Sequence, residues 1–102
     1  MEIQVSEGVK AGIINAVSGA MKGRHFKLFL FGSRVRGSSS ARSDYDLALS
    51  ADSSLDLATM GIIRARLDDL NVMQTIDLVD LKSVSAGFSE AVSREAVILD
   101  ER

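Results

Sequence analysis

Two short motifs separated by ten residues constrain this chain more than any other feature of its sequence. An apolar and aromatic run over residues 25–31 ends in Gly32 and Ser33. After ten further residues, Asp44 and Asp46 open a second apolar run. Each motif therefore lies at the boundary of a predicted β-strand, where a rigid sheet can hold polar groups in fixed positions.

The residue types in these motifs favour nucleotide chemistry. Alternate residues of a strand share a face, so Asp44 and Asp46 point the same way, roughly 6–7 Å apart along the backbone. Two such carboxylates can hold one or two hard divalent cations. Gly32 leaves room for a triphosphate, and the hydroxyl of Ser33 can donate to its oxygens. The alternative for the carboxylates is a turn aspartate followed by a solvated strand aspartate, and the alternative for Gly32 and Ser33 is a plain turn at the end of a strand.

A third carboxylate is available at Asp77, in the apolar run over residues 75–81. If Ile76 and Leu78 face the core, Asp77 lies on the opposite face of its strand, as the first two carboxylates do on theirs. A charged side chain inside an apolar strand is costly unless it is paired or bound to a metal. Asp80 falls on the other face near the strand end, and we interpret it as solvated.

Other polar residues near the motifs are less specific. Arg34 and Arg36 follow the Gly-Ser turn, and arginine neutralises phosphate through bidentate hydrogen bonds. We predict that one of them contacts the nucleotide or the acceptor, with a solvated charge pair as the alternative. Tyr45 alternates away from the carboxylates and is interpreted as a packing residue. Glu90 and Glu95 are interpreted as surface charges of a helix.

The apolar periodicity predicts helices over residues 5–22, about 54–70 and about 84–96, and strands over 25–31, 45–50 and 75–81. A short helical segment is expected after Ser33, and the Gly/Ser-rich stretch 37–43 is predicted to be a loop. Asp52–Ser54 are expected to cap the second long helix. Residues 97–99 end the apolar pattern. The order α-β-α-β-α-β-α indicates an α/β domain with helices covering a small sheet.

The composition excludes several classes of protein. A chain of 102 residues has the size of a single domain, and we expect one domain over residues 1–102. The net charge of −2 argues against strong, sequence-independent binding of nucleic acid. Cysteine is absent, which excludes disulfides and thiolate metal sites. Residues 1–4 do not resemble a signal peptide and no apolar run has membrane-spanning length, so we expect a cytoplasmic protein without membrane contact.

The sequence GSRVRG at residues 32–37, followed by SDYDL at residues 43–47, resembles the nucleotidyltransferase superfamily of DNA polymerase β type. The short chain is similar in particular to the minimal nucleotidyltransferases (MNT), usually the antitoxins of HEPN/MNT toxin–antitoxin pairs. The resemblance implies a small mixed β-sheet flanked by helices. It implies a catalytic and metal-binding set and a nucleotide-binding set: Asp44, Asp46 and Asp77 in the first, and Gly32, Ser33, Arg34 and Arg36 in the second.

The resemblance also implies an activity. An Mg²⁺-dependent enzyme, with two ions expected, would transfer AMP from ATP to a tyrosine hydroxyl of a cognate HEPN ribonuclease toxin. The added bulk and negative charge would silence the toxin. The nucleoside triphosphate and the toxin are therefore the expected partners, and a hetero-oligomer with the toxin is compatible with the sequence.

Two other readings remain open from the sequence. The chain could neutralise its toxin by forming a complex, with catalysis secondary or absent, although such a binder has no need of three carboxylates. It could also transfer a nucleotide to RNA or to a small molecule such as an aminoglycoside. We expect neither an additional domain that could hold such an acceptor nor a basic face for RNA, which disfavours this third reading.

Overall fold

The structure, a computed structural model, describes residues 5–37, 40 and 42–102. Over these residues, four helices and four strands follow one another as α1 (Glu7–Met21), β1 (Phe26–Phe31), α2 (Ser33–Arg36), β2 (Tyr45–Ala51), α3 (Leu57–Asp68), β3 (Ile76–Asp80), α4 (Ala86–Glu95) and β4 (Val97–Glu101). The predicted α/β class is confirmed. The loop predicted over residues 37–43 lies partly outside the described residues.

The strands form one mixed sheet in the order β3-β2-β1-β4. Strand β1 is antiparallel to both of its neighbours, whereas β2 and β3 are parallel and are joined through α3. The Gly-Ser turn follows β1 directly, and β2 begins just after Asp44. Because β1 and β2 run in opposite directions, the end of β1 lies beside the start of β2, and Phe31 pairs with Asp46. The topology thus brings the two sequence motifs together.

The two faces of the sheet are covered to different extents. The main core lies on the face covered by α1 and α3, where Leu28, Leu30, Leu47, Ile13 and Ile63 are fully buried. The opposite face carries a smaller core around Ala48, Leu81 and Val92 of α4, with half-buried hydrophobic residues packed against it. Asp46 and Asp77 alternate with core residues of β2 and β3, so both lie on the less covered face.

Three details differ from the sequence prediction. The predicted order is correct up to α4 but omits β4, because residues 97–99 form part of an edge strand paired with β1. The predicted cap at Asp52–Ser54 is wrong, since the carboxylate of Asp56 accepts a 2.7 Å hydrogen bond from the Thr59 N–H and α3 starts at Leu57. None of the described helices is both long and apolar enough to cross a membrane.

Candidate active site

Asp46 and Asp77 lie side by side on the parallel strands β2 and β3. They are directly paired in the register of the two strands. The residues immediately before and after each aspartate point to the other face of the sheet and pack in or against the main core. Adjacent strands are about 4.8 Å apart, so the two carboxylates leave the same sheet face from neighbouring positions. The predicted placement of Asp77 on the face opposite the core is therefore confirmed, with Leu78 buried behind it.

Gly32 is packed against the Asp46 carboxylate. Its backbone has φ 83° and ψ −155°, a region that only glycine adopts without strain. A Cβ atom added at this position would collide with Oδ2 of Asp46 and would lie 3.1 Å from its Cγ. The sequence predicts that this glycine leaves room for a phosphate. The structure adds a second reason, because only a residue without a side chain lets the turn touch the carboxylate.

The surroundings of Asp46 favour its protonated form. Burial raises the pKa of Asp46, and the negative charges of Asp77, Asp44 and Glu95 raise this pKa further, whereas Arg36 lowers it. The protein thus holds a half-buried carboxylate among other acids. Such an accumulation of like charge lowers the stability of the protein when no cation is bound. It is typical of a site that binds a cation.

Asp44 lies one residue before β2 and is exposed. Among residues 5–37, 40 and 42–102, no set of three acidic or histidine side chains converges closely enough to hold a metal ion. The donor chemistry and the backbone placement of the three aspartates fit a hard divalent cation. Their side chains would have to turn toward one another to bind it. Metal binding by Asp44, Asp46 and Asp77 therefore stays a prediction.

Glu95, the last residue of α4, also lies at the site. Its Oε1 accepts a 3.1 Å hydrogen bond from the backbone N–H of Gly32. The same oxygen lies 3.2 Å from Nη1 of Arg36, and Oε2 lies 3.3 Å from that nitrogen. The interpretation of Glu95 as a plain surface charge is therefore wrong. No local signal in the sequence indicates this contact, because the partners are separated by more than 50 residues.

Arg34 has different surroundings from Arg36. Its guanidinium donates a 2.7 Å hydrogen bond to the carbonyl oxygen of Ser43 and stacks 3.9 Å above the ring of Tyr45. Arg34 is only 6% exposed, and Tyr45 is buried, as its interpretation as a packing residue requires. These contacts tie α2 to the chain that leads into β2 and so hold Asp44 and Asp46 near the turn. A contact between Arg34 and nucleotide stays a prediction.

Ser33 is the first residue of α2 and is half-buried. Its carbonyl oxygen accepts the N–H of Gly37, which closes the single turn of helix after Gly32. The residue follows the end of β1, beside which β2 begins. The predicted donation from Ser33 to phosphate is compatible with this placement and stays a prediction.

Asp80 is not solvated, contrary to the sequence interpretation. It is only 6% exposed and accepts hydrogen bonds from the N–H of Leu55 at 2.8 Å and from the N–H of Lys82 at 2.9 Å. The hydroxyl of Ser83 donates a third hydrogen bond at 3.1 Å. Asp80 therefore joins the segment before α3 to the end of β3. Asp80 is three residues after Asp77 on the strand, so the two side chains lie on opposite faces of the sheet. We therefore assign Asp80 a structural role.

A cavity of about 580 Å³ opens beside the paired carboxylates. Asp46 and Asp77 line it together with the rings of Phe31 and Phe88, which meet edge to face with centroids 6.3 Å apart. Arg64 and Asp68 of α3 also line it. The cavity gives a molecule of substrate size access to the carboxylates from the edge of the sheet.

Residues 24–102 match the family described as Polymerase beta, Nucleotidyltransferase. The chain belongs to this family. The matched range contains the Gly-Ser turn and all three aspartates, as the resemblance noted in the sequence requires.

Members of the nucleotidyltransferase family with similar sequences or structures extend this result. A probable protein adenylyltransferase, MntA, of Haemophilus influenzae is 27% identical over 77 residues, covering 76% of this chain and 68% of that protein. A crystal structure of a toxin–antitoxin with AMP-PNP is 26% identical, with a TM-score of 0.72, over 91% of this chain and 73% of the matched chain.

A third similarity supports the fold alone. It is to a structure of a tri-AMPylated HEPN toxin of Shewanella oneidensis in complex with an MNT antitoxin. The identity is 24% and the TM-score 0.71, over 94% of this chain and 72% of the matched chain. The fold of this chain is therefore shared with one chain of that MNT–HEPN complex.

Proposed function

We propose that this protein is an antitoxin that transfers AMP from ATP to a tyrosine hydroxyl of a cognate HEPN ribonuclease toxin. The observation that carries the proposal is the direct packing of Gly32 against Asp46, with Asp77 paired beside it. This arrangement brings the turn that we propose to bind phosphate next to two acidic side chains that line a cavity.

Each residue of the site has a proposed role. Asp44, Asp46 and Asp77 would hold Mg²⁺, which supplies positive charge to the triphosphate and lowers the pKa of the attacking hydroxyl group. Gly32 and Ser33 would bind the phosphates through the backbone N–H and the hydroxyl. Arg36 is the arginine proposed to contact phosphate, because it is exposed beside the turn.

The reaction requires one bond to form and one to break. The acceptor oxygen forms a bond with the α-phosphorus, and the bond between the α-phosphorus and the bridging oxygen breaks, releasing pyrophosphate. Asp77 lines the cavity and is exposed to it, so it is the carboxylate we assign to accepting the proton of the acceptor hydroxyl. Arg36 would stabilise the negative charge that develops on the phosphates.

The relatives support the choice of nucleotide and the type of acceptor. The Haemophilus influenzae protein is named a probable protein adenylyltransferase, and the toxin–antitoxin structure contains AMP-PNP, an analogue of ATP. A HEPN toxin is proposed because the motifs resemble those of MNT antitoxins. Since ATP is the proposed substrate, we place the reaction in the cytoplasm.

Label transfer tests the proposal. The purified protein is incubated with Mg²⁺, its neighbouring gene product and ATP labelled at the α-phosphate. A parallel reaction uses ATP labelled at the γ-phosphate. We expect label on the partner only from the α-position, and none when Asp44→Asn and Asp46→Asn are combined. Circular dichroism of the double variant must match that of the unaltered protein for the loss of label to report on chemistry.

The opposite result favours a binding antitoxin. If the partner is neutralised without acquiring label, and only when the antitoxin is at least equimolar, the protein acts by complex formation. An enzyme neutralises an excess of toxin, so titration of the antitoxin against a fixed amount of toxin separates the two mechanisms. Label on RNA or on a small molecule would identify a different acceptor.

A further inference from the structure

The donors proposed to bind phosphate already bind an anion of the protein itself. The Glu95 carboxylate accepts the Gly32 N–H and contacts Arg36 through both of its oxygens. A carboxylate on a backbone N–H and a guanidinium reproduces the interactions that a phosphate makes at such a site. Glu95 therefore stands where, under the proposed function, a phosphate of the nucleotide would bind.

We propose that the Glu95 carboxylate is a built-in competitor of nucleotide phosphate, which must leave Gly32 and Arg36 before the triphosphate can bind there. This inference rests on the proposed function for the identity of the ligand. It goes beyond that function in assigning to Glu95 a self-blocked state of the free protein.

The geometry at Gly32 and the charge of the site both oppose simultaneous binding of Glu95 and phosphate. One N–H group points one hydrogen at one acceptor, so Gly32 cannot donate fully to Glu95 and to a phosphate oxygen at once. A phosphate beside the Glu95 carboxylate would also place like charges in contact, close to Asp46. The nucleotide therefore has to displace Glu95, and part of its binding free energy is spent on that displacement.

The structure allows the displacement. The side chains of Glu95 and Arg36 are 33% and 56% exposed, so both ions are partly hydrated and their pairing is weak. Val92 is the buried residue of α4, and Phe88 near its start is 42% exposed. A rotation of the Glu95 side chain releases both donors, and α4 is held loosely enough to adjust.

Calorimetric titration with three probes in the presence of Mg²⁺ tests this inference. The probes are AMP-PNP, tripolyphosphate and adenosine, and the variants are Glu95→Gln and Glu95→Ala. We expect both variants to bind AMP-PNP and tripolyphosphate about five- to ten-fold more tightly than the unaltered protein, since the competing charge is removed. The affinity for adenosine, which has no phosphate, is expected to stay the same.

Glu90→Gln is the matched control. Glu90 is exposed on the same helix, and its replacement removes the same charge at a distance from Gly32. The affinity of the Glu90→Gln variant for tripolyphosphate should stay within about two-fold of that of the unaltered protein, because exposed charges are screened. A gain equal to that of Glu95→Gln would show a general charge effect and would overturn the inference.

The sign of the effect separates competition from a structural role. If Glu95 merely held the turn in shape, its removal would loosen Gly32 and Arg36 and weaken phosphate binding. Unchanged or weaker binding in both Glu95 variants would overturn the inference, as would the absence of binding in every protein. A second readout is the Gly32 amide resonance, which should shift in Glu95→Ala and reach a common position in both proteins at saturating tripolyphosphate.

The two proposals fail in different experiments. If the unaltered protein binds AMP-PNP but transfers no AMP to the partner, the proposed function is wrong. Tighter binding of AMP-PNP by Glu95→Gln and Glu95→Ala than by the unaltered protein would still support the competition by Glu95. If AMP is transferred and the variants bind no better, the inference about Glu95 is wrong and the proposed function stands.

Discussion

At the scale of single residues, the contact between Gly32 and Asp46 links conformation to chemistry. Two features restrict this position to glycine. Its φ is positive, and a Cβ at this position would collide with Asp46. We predict that Gly32→Ala lowers the free energy of unfolding by about 1–3 kcal/mol, because the new methyl is both strained and obstructed. Urea denaturation measures this change.

Gly61→Ala provides the control for that measurement. Gly61 lies in α3, and a Cβ at this position meets no atom within 4 Å. The alanine should raise stability by about 0.5–1 kcal/mol through its helix propensity. If Gly32→Ala were as harmless as Gly61→Ala, the close approach of the turn to Asp46 would not hold in solution.

Asp46 is expected to reduce stability at neutral pH. Its pKa is raised by burial and by the like charges of Asp77 and Asp44, so the folded state binds the proton more tightly than the unfolded chain. Stability linked to this group therefore falls as the pH rises through the raised pKa. We predict that Asp46→Asn stabilises the protein at pH 7 by up to about 1 kcal/mol, since the repulsion is removed.

The pH dependence provides the check. As the pH falls below the ordinary carboxyl value of 3.8, Asp46 is protonated in both states and the penalty disappears. Urea denaturation should therefore show that the difference in free energy of unfolding between Asp46→Asn and the unaltered protein is smaller near the ordinary carboxyl value than at neutral pH. If Asp46→Asn were less stable than the unaltered protein at pH 7, favourable interactions of the Asp46 carboxylate would outweigh its burial and the repulsion by its acidic neighbours.

At the scale of elements, Asp80 organises the junction of β3 with the segment before α3. Its carboxylate accepts three hydrogen bonds while buried, two of them from backbone N–H groups. Asp80→Ala leaves these donors without a partner, and we expect a loss of about 2–4 kcal/mol of stability. Thermal or urea denaturation measures it.

Asp52→Ala is the matched control for Asp80→Ala, because Asp52 is an exposed aspartate in the loop after β2. Its replacement should change stability by no more than about 0.5 kcal/mol. Equal effects of the two substitutions would mean that the hydrogen bonds of Asp80 contribute little beyond its charge.

At the scale of the whole molecule, the two faces of the sheet differ in how firmly they are packed. The helices α1 and α3 each bury several residues in the main core, whereas in α4 the buried residue is Val92. We predict that the amides of α4 exchange with solvent at least about ten-fold faster than those of α1, because little apolar surface holds α4 in place. Hydrogen–deuterium exchange followed by mass spectrometry measures this.

Binding of nucleotide adds a second comparison. Displacement of Glu95 removes the ionic contact of α4 with the turn, so exchange in α4 should not slow when AMP-PNP binds. Equal protection of α4 and α1 in the free protein would contradict the packing argument. In that case, the loose attachment of α4 could not contribute to the release of Glu95.

Local patterns were sufficient for much of this protein. The alternation around Asp77 indicated its sheet face correctly, because strand geometry alone determines which residues share a side. The periodicity located the three long helices to within a few residues, and the two motifs indicated the nucleotidyltransferase family. These features depend on neighbours in sequence, and a reading of the chain could therefore recover them.

Other features were decided only by tertiary contacts. Strand β4 needs the edge of β1 to pair with, and Asp80 is buried because the distant Leu55 N–H meets it. The contact of Glu95 with Gly32 joins residues 63 positions apart. Sequence alone indicated the residues that we propose for the chemistry. The packing of α4 against the sheet decided that Glu95 contacts Gly32 and Arg36, the groups proposed to bind phosphate, because these residues come from separate elements.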